Sequence, residues 1–365
     1  MKINFDLNVI VYFAAISVGI YTSLLLWFSS RNRFANKVLS LLIISITGWV
    51  VDAFLRTSGI YGLYPNLYFL PIYYSFAFGP LLFLYVRAIT NKDFKFTRFE
   101  LLHFIPVLIQ GCFYLIVCFQ PYHVKYDLWF NVHQPYTYRI EYDGTWLSLV
   151  IYLVLSFLYF RKYQSWLANN YSNLSRKLLN WLKFSLITLI FVCIAWLFEA
   201  VLRDFKNTYY QYDFSTNLLC IVIYGVGVLG MQEADTLVEF KGEKVADRSG
   251  ALIKPDEAVV RLIDEAMIGH RLYLNPELTL AELAAFLNLP AKTVSFNINA
   301  AYNKPFNTYI NSFRVDEIKR RLQTADLQKF TLLSIAFDSG FNSKTSFNRI
   351  FKEFTGTSPS DFIKK

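Results

Sequence analysis

Apolar and polar positions divide the chain into two regimes. Up to residue 231, long apolar stretches cover 9–28, 37–56, 67–90, 101–119, 145–160, 181–202 and 214–231, with short polar segments between them. A helix needs about 20 mostly apolar residues to cross a bilayer. The alternation of a membrane barrel strand is absent. The pattern therefore predicts an all-α chain that opens with a seven-helix transmembrane bundle. The fifth stretch is short and reaches Tyr163 if Arg161 and Lys162 snorkel. Pro71, Pro80 and Pro106 fall inside the third and fourth stretches, where neighbouring helices can cover the freed carbonyls. The first stretch does not read as a cleavable signal, because its apolar run is long and no small-x-small site follows before Arg31.

Composition supports this division. Of 365 residues, 17% are charged, 55% apolar and 18% aromatic, and the mean hydropathy is +0.32. A globular protein carries about 25% charged residues. With 15 Gly, 11 Pro and 4 Cys, disorder, collagen-like repeats and a disulfide scaffold are excluded. Residues 1–231 hold 18 Lys and Arg against 10 Asp and Glu, and residues 232–365 hold 18 against 17. Within the first region, 12 cations lie on the side of 29–37, 87–98 and 161–183, and 6 on the other. Cations stay inside, so the N-terminus is expected outside a bacterial inner membrane and the C-terminal part in the cytoplasm. Cys112, Cys118, Cys193 and Cys220 all fall in apolar stretches and are expected to pack as small hydrophobes.

Beyond residue 231 the elements shorten. Residues 232–269 read as a linker and coupling helix: Glu239–Gly250 is polar, and a helix beginning near Pro255 would bury Val259, Leu262, Ile263 and Ala266. In 270–365 a unit recurs. Thr279-Leu-Ala-Glu-Leu-Ala284 returns as Thr331-Leu-Leu-Ser-Ile-Ala336, Asn288-Leu289 as Gly340-Phe341, and Val294 and Ile298 as Phe347 and Phe351. Each copy reads as a helix-turn-helix. A Thr caps the first helix, with Glu282 completing a capping box in the first copy. A small residue sits at the helix crossing. Asn or Gly occupies a turn that needs positive φ, and an apolar residue plugs the corner. The free face of each second helix can enter a major groove. In the first copy that face is Lys292, Thr293, Ser295, Phe296 and Asn299. In the second it is Asn342, Lys344, Thr345, Asn348, Arg349 and Lys352. A helix over 305–323 would hold the two units at fixed spacing.

Residues from about 270 to 362 resemble the AraC-type DNA-binding domain. The resemblance rests on Gly340-Phe-Asn-Ser-Lys-Thr-Ser-Phe347-Asn-Arg-Ile-Phe351-Lys-Glu-Phe-Thr-Gly356-Thr-Ser-Pro359, on Phe306, and on the Arg314–Leu322 run. It implies tandem helix-turn-helix units, double-stranded promoter DNA and RNA polymerase as partners, and action as a homodimer. Asn297 stands at a usually apolar position, Asn303 at a usual glycine, and Lys292 is the only cation of the first reading helix. These departures point to a first unit that binds DNA weakly or with little discrimination. The membrane part resembles, less specifically, the seven-span sensor modules of some bacterial regulators.

The signal is expected to be a small molecule or an envelope cue. Two acid–base pairs at outer span ends, Asp52/Arg56 and Glu199/Arg203, are candidates for sensing it, with Trp129, His123 and His133 of the aromatic segment 120–144. An interfacial aromatic belt with snorkelling ion pairs is the plainer alternative. The change would pass through span seven and 232–278. A membrane transporter or enzyme with a docking tail is the competing function. No hydrolytic or metal-ligand spacing, phosphate-binding glycine loop or inverted half-repeat favours it. No cofactor, catalytic residue or metal site is expected.

Overall fold

The computed structural model describes residues 4–30, 32–91, 94–174, 180–206, 213–232, 254–323 and 330–363. The polar segment Glu239–Gly250 and the cations Lys2, Arg31, Lys92, Arg176 and Lys177 lie outside the described residues. The protein is all-helical and divides into two compact units, 1–161 with 179–241 and 162–178 with 242–365.

The first unit is built from α1 (Leu7–Phe28), α2 (Arg33–Thr57), α3 (Phe78–Thr90), α4 (Ile105–Cys118), α5 (Tyr138–Asn170), α6 (Asn180–Lys206) and α7 (Phe214–Gln232). α5 enters the second unit from residue 162. Among the described residues, Leu7–Phe28, Arg33–Thr57, Glu100–Cys118, Tyr122–Asn170 and Trp181–Lys206 are long and apolar enough to cross a membrane, while Ser75–Thr90 and Phe214–Gly225 are shorter apolar helices. Large apolar side chains such as Phe13, Leu108, Ile109, Leu158, Phe191 and Ile194 face outward. Inside, polar contacts tie helix to helix. Ser23 and Ser40 share a hydrogen bond of 2.8 Å between α1 and α2, and the Trp49 indole donates to Thr216 Oγ1 at 3.0 Å between α2 and α7.

The third apolar stretch is not one helix. Residues 68–74 form turns, and a helical turn at Ser75–Ala77 precedes α3. Pro71 explains this, since it lacks an N–H and biases the residue before it away from helical backbone. This irregular segment is packed inward, with Phe69 and Tyr73 buried. Pro106 sits in the first turn of α4, where its missing donor removes no helical bond. It marks the change from the tighter helical turns of Glu100–Phe104 to α4. Segment 120–144 is also helical. Tyr122–Leu128 leads through a wide-turned stretch, Trp129–Thr137, into α5. Cys193 and Cys220 are buried, Cys118 is half-buried, and Cys112 is exposed on the apolar exterior.

The second unit holds α8 (Glu257–Ile268), α9 (Leu280–Phe286), α10 (Ala291–Tyr302), α11 (Phe306–Gln323), α12 (Leu332–Asp338), α13 (Lys344–Thr355) and α14 (Pro359–Ile363). α8 begins one residue beyond Pro255, at the Asp256 cap. It buries Val259, Ile263 and Ala266, and leaves Leu262 exposed. Two apolar cores form. Leu280, Leu283, Ala284, Val294 and Ile298 gather around Phe306, Tyr309 and Ile310 of α11. Ile335, Ala336, Phe341, Phe347 and Phe351 gather around Val315 and Ile318 of the same helix. α11 thus contributes its first half to one core and its second half to the other, which fixes the spacing of the two lobes.

Candidate functional site

Each lobe folds its corner in the same way. Thr279 caps α9 by accepting from the Glu282 amide at 3.1 Å, and Glu282 returns a bond to the Thr279 amide at 2.8 Å. Thr331 caps α12 through the Ser334 amide at 3.1 Å. A cap of this kind contributes about 1 kcal/mol. The turn residues Asn288 and Gly340 have φ of 54° and 94°. Their successors close matching bonds: the Leu289 amide donates to the Ala284 carbonyl at 2.9 Å, and the Phe341 amide to the Ala336 carbonyl at 3.1 Å. Gly340 is required on two counts. Its backbone is left-handed, and a Cβ there would collide with the Tyr273 carbonyl oxygen and come within 2.9 Å of Arg314 Nε.

The corners turn α10 and α13 so that their polar faces point outward. Asn342, Lys344, Thr345, Asn348, Arg349 and Lys352 are all exposed. Lys292, Phe296 and Asn299 are exposed, and Thr293 and Ser295 half-buried. The unusual Asn297 is fully used inside. Its Oδ1 accepts from the Asp256 amide at 2.6 Å and its Nδ2 donates to the Thr293 carbonyl at 3.0 Å, tying α10 to the start of α8. Asn303 ends α10 at φ 50°, a backbone that Asn tolerates.

Within the second unit, a contact the sequence did not signal ties the segment after α5 to α11. Ser172 donates from its amide and its hydroxyl to the Leu278 carbonyl, at 3.1 and 2.6 Å. Its hydroxyl also receives Arg314 Nη2 at 3.1 Å. Arg314, 2% exposed, donates further to the carbonyls of Tyr273 at 2.8 Å and Asn275 at 2.7 Å. Burial pushes this guanidinium down to about 10, and neutral acceptors hold it. Two neighbours of Ser172 meet the polar faces, one directly and one through Glu277. Asn169 Oδ1 accepts from Asn299 at 3.4 Å. Asn173 donates at 3.3 Å to the Glu277 oxygen that accepts from Asn342 at 2.8 Å.

The first unit contains a cavity of about 420 Å³. Of the residues singled out by sequence, Asp52, Arg56, Trp129, His133, Glu199 and Arg203 line it together. His123 does not line it and is exposed. The expected Glu199/Arg203 pair is not formed. Glu199 accepts from the Ser215 amide and hydroxyl at 2.7 and 2.6 Å and from Tyr142 at 2.8 Å. Arg203 turns to Asp143 at 3.2 Å and Asp204 at 3.0 Å. Spacing of i, i+4 permits a contact, but here better-placed partners from α5 and α7 take both groups. Asp52 lies 4.0 Å from Arg56 and receives Tyr61 at 2.6 Å. Glu141 and Asp213, which the sequence did not single out, complete the acidic lining. No group of three or more potential metal ligands occurs among the described residues.

Residues 283–365 match the family model of a helix-turn-helix domain. An uncharacterized helix-turn-helix-type transcriptional regulator of Staphylococcus aureus (strain COL) is 29% identical over 91 residues. Those residues are 25% of this chain and cover 12% of that protein's length. No solved structure matches the chain. The C-terminal part therefore carries a helix-turn-helix domain of AraC type.

Proposed function

We propose that the protein is a membrane-integrated, one-component transcription regulator, in which a bundle that receives a signal controls tandem helix-turn-helix units on promoter DNA. The observation that carries this reading is the repeated corner, Leu289 to Ala284 and Phe341 to Ala336, each presenting an exposed polar helix in a chain that opens with apolar helices. One helix fits one major groove, and grooves on one face of DNA repeat about every 34 Å, so two units held by α11 would address successive grooves. Lys344, Arg349 and Lys352 on α13 supply phosphate-seeking charge, while α10 offers only Lys292. The second unit therefore carries most of the affinity.

The outward apolar side chains of the first unit favour lipid as its solvent, since exposed apolar surface of this extent is costly in water. The positive-inside count then places the N-terminus outside and the reading units in the cytoplasm. Control reaches those units through the end of α5, because Asn169 accepts from Asn299 of one reading face and Asn173 shares Glu277 with Asn342 of the other. A signal that shifts α5 frees or holds these groups, and can bias DNA affinity only by its differential energy in the two states. A transporter or enzyme reading gains no specific support. Genomic footprinting of the tagged protein with and without residues 1–231 tests the proposal. Discrete promoter footprints that change in strength or in response when the bundle is removed are expected. Absence of footprints from both forms would sink it.

A further inference from the structure

The cavity in the first unit joins features that together define a ligand class. Its walls include the rings of Trp49, Tyr61, Tyr68, Phe69, Tyr73, Tyr114, Trp129, Tyr138 and Tyr142, and its volume suits a small organic molecule far better than a bare ion. Four carboxylates, Asp52, Glu141, Glu199 and Asp213, share this lining with two guanidiniums, Arg56 and Arg203. The cations do not balance them. Arg203 spends its charge on Asp143 and Asp204, neither of which lines the cavity. Arg56 lies between Asp52 and Asp213, at 4.0 and 3.5 Å, one charge for two. Glu141 is held by neutral donors, Tyr114 at 3.0 Å and Gln110 at 3.4 Å. Glu199 is likewise held by Ser215 and Tyr142.

We infer that this cavity binds a small organic cation, a primary ammonium on an aromatic or apolar body. The ammonium would donate its hydrogen bonds to the acidic lining, chiefly Glu141. The ring faces favour a cation beside them. The inference rests on the proposal that the bundle receives a signal, and supplies that signal's chemistry.

The test uses the full chain in lipid nanodiscs and reads the fluorescence of the lining tryptophans, Trp49 and Trp129. Four probes of one body differ in charge: phenylalaninol (cation), N-acetylphenylalaninol (neutral), phenylalanine (zwitterion) and 3-phenyllactate (anion). Phenylalaninol should bind saturably, and the other three at least about ten-fold more weakly, the scale of one charge-assisted hydrogen bond. Glu141→Gln should weaken phenylalaninol by a similar factor and leave the neutral probe unchanged. Asp52→Asn provides a second, nearly isosteric variant with the same expectation. No saturable binding of phenylalaninol overturns the proposal, as does equal or tighter binding of the neutral, zwitterionic or anionic probe. DNA binding by the same samples is read separately by gel shift. Its absence would refute the regulator and leave the cavity's ligand class standing.

Discussion

At the scale of single residues, two positions decide whether the second helix-turn-helix works. Gly340 meets both a left-handed backbone and the carbonyl of Tyr273. Gly340→Ala should destabilise this lobe by about 2 kcal/mol or more. Hydrogen exchange would show it as lost protection in α12 and α13 with little change in α9 and α10. Protection equal in both lobes would mean that the Tyr273 carbonyl can yield. Arg349 is exposed and pairs with Glu353 at 3.4 Å, an exposed contact that DNA can replace at small cost. Arg349→Ala should weaken DNA binding and reduce the magnitude of the salt slope by about 1 if Arg349 meets a phosphate. A gel-shift series over salt measures both, and an unchanged slope would remove Arg349 from the interface. These two residues were legible in the sequence, because positive φ and a polar helix face each leave a local signature. Arg314 was legible only as part of a helical run. Its four acceptors come from Ser172, Tyr273, Asn275 and Asn311, which no local pattern brings together.

At the scale of elements, α5 and α11 do what no repeat or hydropathy window announced. α11 was expected as a connector, and it also contributes its first half to one core and its second half to the other. α5 continues past the apolar stretch 145–160 to Asn170, and its last turns, with Ser172 and Asn173 after them, belong to the second unit and bond within it. The route expected through span seven and 232–278 crosses residues outside those described, whereas the α5 contact has named partners. Ser172→Ala removes the side-chain bonds to Leu278 and Arg314, worth about 1–3 kcal/mol together. DNA affinity measured on the full chain should then shift toward that of residues 254–365 alone. If Ser172→Ala leaves the difference between the two forms untouched, α5 is not the route of control. The third apolar stretch teaches the same lesson in reverse. Its hydropathy suits a span, yet Pro71 leaves 68–74 as turns packed against Gly48, where a Cβ would strike the Ile72 carbonyl.

At the scale of the whole molecule, topology governs everything proposed. A phosphatase fused behind Lys365 should be inactive and a fluorescent protein at the same place bright, as a cytoplasmic C-terminus requires. An active phosphatase there would put the reading units out of reach of DNA. The segments expected on the outer side, around Asp52–Tyr73, Trp129–Tyr142 and Glu199–Thr216, all contribute to one cavity. Trp129, Tyr138 and Tyr142 of the aromatic segment 120–144 are thus part of the cavity wall.

By itself the sequence determined the helical class, the apolar stretches, the duplicated corners and the polar faces of the reading helices. Each of these is written in periodicity or in the chemistry of a few adjacent residues, and short-range sterics and burial enforce it wherever the chain lies. Tertiary structure alone decided the partners of Glu199 and Arg203, the entry of Glu141 and Asp213 into one cavity, and the seating of Ser172 on Arg314. Those contacts join residues far apart in the chain. A charged or polar group chooses among every partner that packing brings within reach, and packing is a property of the folded molecule, not of any window of sequence.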